Sequence, residues 1–240
     1  MFFDQHAYDI RCEWGAAGAA ALAPIGDAVA IVDVLSFCTA VEIAVNRGGI
    51  VYPVRWQDER AADFARERGA LLASHYRHAP DGYSLSPTSL LQIPSGTALV
   101  LPSPNGATLS LATGATPTIA GCLRNAEAVA RALQQRGRRV AVIPAGERWP
   151  DGSLRPALED LLGAGAIIHR LPGTRSPEAT AAEALFLRFK DDFSRLLREC
   201  CSGRELIERG FVSDVELAAA LDVSSCVPML VDGAYRVSLS

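Results

Sequence analysis

The stretch Ala28-Val-Ala-Ile-Val-Asp-Val34 is an almost unbroken apolar, β-branched run that carries one acid near its end. A strand with one wet face alternates apolar and polar residues. A run that is apolar throughout fits a strand buried on both sides, as in a parallel sheet between helices. The turn Leu35-Ser-Phe-Cys-Thr39 and a helical pattern over 40–46 follow, closed by Gly48-Gly49. The same order of strand, short polar loop and helix recurs downstream. Strands are expected over 97–101, 116–121 and 139–146, with helices over 126–135 and 156–168 following the last two. This alternation predicts an α/β fold with a largely parallel or mixed sheet and helices on both faces.

The remaining segments extend that frame. Ile50-Val-Tyr-Pro-Val54 reads as a further strand, 57–68 as a charged amphipathic helix and 77–88 as a long surface loop. A helical C-terminal lobe is expected from a long helix over 178–200 and shorter ones over 203–209 and 213–221. Strands 227–231 and 234–237 around Asp232-Gly233 predict a terminal hairpin with the favoured Asp-Gly turn. No repeat of fixed period and no long linker divides the chain, so residues 1–240 read as one domain.

With 49% hydrophobic and 21% charged residues, the chain has the composition of a folded protein with ample core. Its net charge of −4 argues against a nucleic-acid partner, whose affinity would need a basic surface. Among the basic residues Lys190 is the sole lysine, and arginine, the better fork for phosphate or carboxylate, supplies the rest. The early acids Asp4, Asp9 and Glu13 do not suit a signal peptide, and no apolar run is long enough to span a membrane. The six cysteines form no C-x-x-C pair, which suits a reducing cytoplasm. An exposed strand edge would allow a homodimer.

Ligands of open α/β sheets bind beyond the carboxyl ends of the strands. Those positions hold Asp33, Ser36, Cys38 and Thr39, then Ser103, Asn105 and Thr108, Arg124 and Asn125, and Glu147, Glu159 and Asp160. Free amides at helix N-termini attract anions, and carboxylates beside an anion call for a cation such as Mg²⁺. The expected site binds a small phosphorylated substrate through Ser36, Cys38, Thr39, Asn105, Gly106, Arg124 and Asn125. Asp33, Glu159 and Asp160 are the expected catalytic and metal-holding acids. Each also has a structural reading: Asn105-Gly106 as a turn, Asn125 as a helix cap, Glu159-Asp160 as partners of a helix dipole. Several other chemistries lack their spacing: no Cys-x₅-Arg loop, D-x-D motif, G-x-S-x-G elbow or Walker loop is present. His75 and His78, in a polar loop, read as solvated side chains.

Taken in order, Val32-Asp-Val-Leu-Ser-Phe-Cys-Thr-Ala-Val41, Ser103-Pro-Asn-Gly106, Leu123-Arg-Asn-Ala126, Ala145-Gly146 and Leu158-Glu-Asp-Leu-Leu-Gly-Ala-Gly165 resemble the 2-phosphosulfolactate phosphatase family. The likeness continues through Ser202-Gly-Arg-Glu-Leu206, Asp214-Val215 and Val227-Pro228. The resemblance implies a Mg²⁺-dependent phosphatase with an α/β fold of its own, releasing phosphate from 2-phosphosulfolactate or a related 2-hydroxy acid on the way to coenzyme M. It marks Asp33, the turn 36–39, Asn105, Gly106, Asn125, Glu159 and Asp160 as site residues. Two stretches depart from the family pattern. Ser36 and Phe37 stand where the first motif usually has Arg-Ala, and Ser84-Leu-Ser-Pro87 replaces a G-N-S-P stretch. A non-catalytic protein that binds a small anion on the same fold is the alternative reading.

Overall fold

The computed structural model describes residues 2–56, 58–79 and 82–237. Residue 57, where a helix was expected to start, and residues 80 and 81 of the expected loop lie outside them. The strands are β1 (Ile10–Cys12), β2 (Ala28–Val32), β3 (Ile50–Val54), β4 (Leu71–Leu72), β5 (Ala98–Pro102), β6 (Thr118–Gly121), β7 (Val140–Pro144), β8 (Glu147–Arg148), β9 (Leu154–Arg155), β10 (Pro228–Val231) and β11 (Ala234–Val237). The α-helices are α1 (Gly15–Leu22), α2 (Phe37–Asn46), α3 (Glu59–Glu67), α4 (Gly106–Ala112), α5 (Ala126–Gln134), α6 (Leu158–His169), α7 (Pro177–Phe189), α8 (Phe193–Glu199), α9 (Cys201–Glu208) and α10 (Val212–Ala218).

Nine strands form one mixed sheet in the order β1-β7-β2-β6-β10-β11-β3-β5-β4. It consists of two parallel blocks. The β1-β7-β2-β6 block and the β3-β5-β4 block are joined by the C-terminal hairpin, whose strands pair antiparallel with β6 and β3. The hairpin is therefore the seam of the sheet. Its turn is the expected one: Asp232 and Gly233 both have positive φ, at 51° and 77°.

The buried run of β2 serves two cores, as successive side chains of a strand point to opposite faces. Ala28, Ala30 and Val32 join Val129 and Leu133 of α5, Leu162 and Ile167 of α6, and Phe186 of α7. Val29 and Ile31 join Leu22 of α1, Phe37 and Val41 of α2, and Leu109 of α4. Full burial of such an aliphatic or aromatic side chain is worth about 1.5–3 kcal/mol. Side chains of β2 thus enter two cores.

The long helix expected over 178–200 is two helices, α7 and α8. Breaking the chain between them lets Phe193 bury itself and stack on Phe186, with ring centroids 5.5 Å apart. Among the described residues no helix is long and apolar enough to cross a membrane.

Candidate active site

The loops after β2, β5 and β7 meet at a cleft of about 260 Å³. Asp33 and Ser36 enter it from the turn after β2, Ser103 and Asn105 from the loop after β5, and Glu147 from β8. Four arginines also line it: Arg77 from the long loop, Arg148 and Arg155 from the small β8–β9 hairpin, and Arg209 just beyond α9, which pairs at 2.9 Å with a third lining carboxylate, Glu205.

Asp33 is buried, and backbone amides hold both of its carboxylate oxygens. Phe37 N–H donates to Oδ1 at 3.1 Å and Gly106 N–H to Oδ2 at 2.9 Å. These amides belong to the first residues of α2 and α4, so the positive helix ends serve the protein's own carboxylate. Gly106 is required by this approach: a Cβ there would stand 2.7 Å from Asp33 Oδ2 and 2.4 Å from the Phe37 ring. Glu147 is held from one side by Asn105, whose Nδ2 donates to its Oε2 at 2.9 Å.

Asp160 performs a different task. Its Oδ1 accepts the Val34 N–H at 2.8 Å and its Oδ2 the Gly146 N–H at 2.9 Å. Val34 adjoins Asp33 and Gly146 adjoins Glu147, so one buried side chain staples together the two turns that carry the cleft carboxylates. Gly146 makes its bond with φ at +71°, in the region where glycine is at ease.

Of the expected metal set of Asp33, Glu159 and Asp160, the fold brings Asp33 to the cleft, while Glu159 and Asp160 are buried outside its lining. Among the described residues no three or more His, Cys, Asp or Glu side chains form a metal cage. Of the expected substrate contacts, Ser36 and Asn105 line the cleft, while the Gly106 amide is taken by Asp33.

The other four face elsewhere. Cys38 Sγ donates to the Ile31 carbonyl and Thr39 Oγ1 to that of Val34, both inside the fold. Arg124 forms a 2.6 Å ion pair with the fully buried Glu42. Asn125 accepts the Cys122 N–H and donates to the Ala120 and Cys226 carbonyls, so it acts as a cap and tie. His75 and His78 are exposed, as expected of solvated side chains.

Beyond the substrate and metal residues expected from the sequence, the cleft holds Glu147, which lies at a strand end, and four arginines. The arginine bias of the composition was their sole signal in the sequence.

Electrostatics sharpens the picture. Burial pushes the Glu147 carboxyl up to about 7, with further upward pressure from the Asp33 charge. Asp33 is raised above the ordinary aspartate value, chiefly by burial and in part by Glu159, against the pull of its two amides. Asp160 is raised for the same first reason, with Asp33 and Glu159 adding to it.

A carboxyl whose folded pKa is raised favours the fold when protonated. That contribution is complete below the unfolded pKa and is lost as pH rises through the folded one. Without divalent cations the protein is therefore expected to melt at a higher temperature at pH 5 than at pH 8. Thermal melts at both values check this, and equal midpoints would contradict it.

The chain matches a family described as 2-phosphosulpholactate phosphatase over residues 19–233. A probable 2-phosphosulfolactate phosphatase of Carboxydothermus hydrogenoformans is 32% identical over 84% of this chain and 85% of that protein. The 2-phosphosulfolactate phosphatase of Methanothermobacter thermautotrophicus is 30% identical over 88% of this chain and 90% of its own. One from Parasynechococcus marenigrum, again named as probable, is 31% identical over 84% and 88% respectively. With the match running through the β2 turn, the loops after β5 and β7 and the C-terminal seam, the chain belongs to the 2-phosphosulfolactate phosphatase family.

Proposed function

We propose that the cleft hydrolyses the phosphate ester of a small 2-hydroxy acid, 2-phosphosulfolactate or a close relative, with the help of Mg²⁺. The observation that carries this reading is the placing of Asp33 and Glu147 in one cleft with four arginines. The arginines favour a ligand with more than one negative charge. The two carboxylates would repel that ligand unless a cation joined them. Burial first, and neighbouring carboxylates second, disfavour the charge on both, a cost that a divalent ion would relieve, so the donor set fits such an ion. Mg²⁺ needs few protein ligands, since it is bound through one or two carboxylates together with phosphate oxygens and water.

Asp33 and Glu147 would hold the ion. It would supply positive charge for the phosphoryl oxygens and a lowered pKa for the attacking water. The Phe37 and Gly106 amides keep Asp33 in place, and Asn105 does so for Glu147. Guanidinium groups of Arg77, Arg148, Arg155 and Arg209 would draw in the anion and stabilise charge that grows in the transition state. Attack of water on phosphorus breaks the bond to the ester oxygen, which leaves as the hydroxyl of the 2-hydroxy acid, and releases inorganic phosphate. The Cys38 thiol, buried and raised far above its ordinary value, is unsuited to act as a nucleophile.

Membership in a family of phosphatases favours catalysis over the alternative of anion binding alone. The test is phosphate release from 2-phosphosulfolactate, 2-phospholactate, 2-phosphoglycerate and p-nitrophenyl phosphate, with Mg²⁺ and with chelator. Mg²⁺-dependent turnover with preference for the phosphorylated acids is expected. Binding of those acids without release under any metal condition would overturn the reading.

A further inference from the structure

The acid Asp214, on α10, lies outside the cleft lining, yet it is fully buried and heavily engaged. Its Oδ2 accepts Arg77 Nη1 at 2.8 Å. Its Oδ1 accepts the Ser86 hydroxyl at 2.7 Å, the Thr88 N–H at 3.2 Å and the Thr88 hydroxyl as well. One carboxylate thus grips both sides of the loop that separates β4 from β5. The loop is also tied to itself, as Ser84 Oγ donates to the Arg77 carbonyl at 2.8 Å and Ser89 Oγ to that of Ser86 at 2.7 Å. Here the Ser84-Leu-Ser-Pro87 stretch acquires a purpose, because its serines provide these bonds.

The Arg77 side chain is consequently fixed, with the Phe211 ring 5.4 Å from its guanidinium carbon. Nη2 donates to Ser36 Oγ at 3.1 Å on the cleft wall, and Nη1 makes a longer contact with the Leu85 carbonyl at 3.4 Å. The positive charge lies near enough to Asp33 to lower its pKa against the effect of burial. A guanidinium has five N–H donors. Asp214, Ser36 and Leu85 engage three of them, which leaves two uncommitted among the described residues.

We propose that Asp214 is a positioning residue for substrate binding: by holding Arg77, Ser86 and Thr88 together, it fastens the loop at the cleft and presents the Arg77 guanidinium beside Ser36 as an anion-binding group. The inference rests on the reading of the ligand as a phosphorylated acid. It adds that affinity depends on a carboxylate that the ligand never meets. A fixed guanidinium binds better than a free one, as its side-chain order is already established in the fold. Lysine could not replace it, since a single ammonium cannot reach Asp214, Ser36 and the ligand with the planar fork of arginine.

The experiment compares wild type, Arg77→Ala, Arg77→Lys, Asp214→Asn and the Arg77→Ala/Asp214→Asn double variant. The readouts are KM and kcat for 2-phosphosulfolactate and the calorimetric Kd of 2-phosphoglycerate. Loss of one charge-assisted contact should raise KM and Kd about 10- to 100-fold, and kcat should fall by a smaller factor. Arg77→Lys should recover little of this. Asp214→Asn should reproduce much of the defect, and the double variant should be no worse than Arg77→Ala, because both changes remove one device. If Asp214→Asn does not fold, Thr88→Val takes its place. It retains the Asp214–Arg77 pair while loosening the loop, and a smaller rise in KM is expected.

Affinity of Arg77→Ala within twofold of wild type, or defects that multiply in the double variant, would overturn the proposal. Failure of the phosphatase reading would show separately, as absence of phosphate release by wild type, while the calorimetric comparison would still judge Arg77 and Asp214.

Discussion

Asp33→Asn is expected to lower Mg²⁺-dependent phosphate release by about 1000-fold or more. A metal at a phosphoryl oxygen contributes several kcal/mol to transition-state stabilisation, and each 1.36 kcal/mol is a factor of ten in rate. Asparagine removes the charge that would hold the ion. It also turns an NH₂ group toward either the Phe37 or the Gly106 amide, both of which need an acceptor. Some loss of stability, about 1–3 kcal/mol, accompanies the substitution for that reason. Glu147→Gln separates the two effects. Glu147 is less deeply buried, and glutamine retains an oxygen for Asn105, so its fold should survive while activity falls to a similar degree. Phosphate release measured below the melting temperature of each variant checks the prediction. Turnover within tenfold of wild type in both would remove these carboxylates from the mechanism.

Asp160→Asn should show the opposite balance, with the larger effect on stability. Two backbone amides donate to its two oxygens, so asparagine loses one acceptor and faces donor to donor in a buried site. Hydrogen bonds to charged groups are worth about 1.5–3 kcal/mol, and an unsatisfied buried N–H adds to the loss. A destabilisation of about 2–4 kcal/mol corresponds to roughly 5–15 °C in melting temperature for a chain of this size. Activity of the folded fraction should fall less than in Asp33→Asn, because Asp160 spaces the two turns and does not line the cleft. Thermal melts, with assays at a temperature where the variant is folded, decide this. An unchanged melting temperature would show that the staple between Val34 and Gly146 carries no weight.

Much of the architecture was legible in local pattern. The apolar run of β2, the strand 50–54 and the Asp-Gly hairpin each show in a few adjacent residues, because burial on both faces and a two-residue turn impose local demands. Asp33 was legible for a related reason: a charge at the end of a buried run needs partners. Asp160 was visible as an acid in the first turn of a helix, but the number of amides it satisfies was not. That number depends on where the loops after β2 and β7 come to rest.

Arg124 and the cleft arginines mark the limit most clearly. Arg124 lies at a strand end, where an anion site was expected, yet Glu42 takes its charge inside the fold. Arg77 sits in a loop whose residues carry no periodic signal, and it reaches the cleft through an acid 137 positions away. In a chain so rich in arginine, composition cannot say which four converge.

The sequence by itself determined the α/β frame, the buried strand that leads to Asp33 and the family to which the chain belongs. These rest on short-range patterning and on motifs read in order. Tertiary structure alone decided that the C-terminal hairpin joins two parallel blocks, that Asp160 staples rather than lines the cleft, and that Glu147 and four arginines line one cleft with Asp33. Such outcomes follow from which distant groups satisfy one another once water is excluded, and hydrogen-bond and charge pairing of that kind leaves no period in the chain.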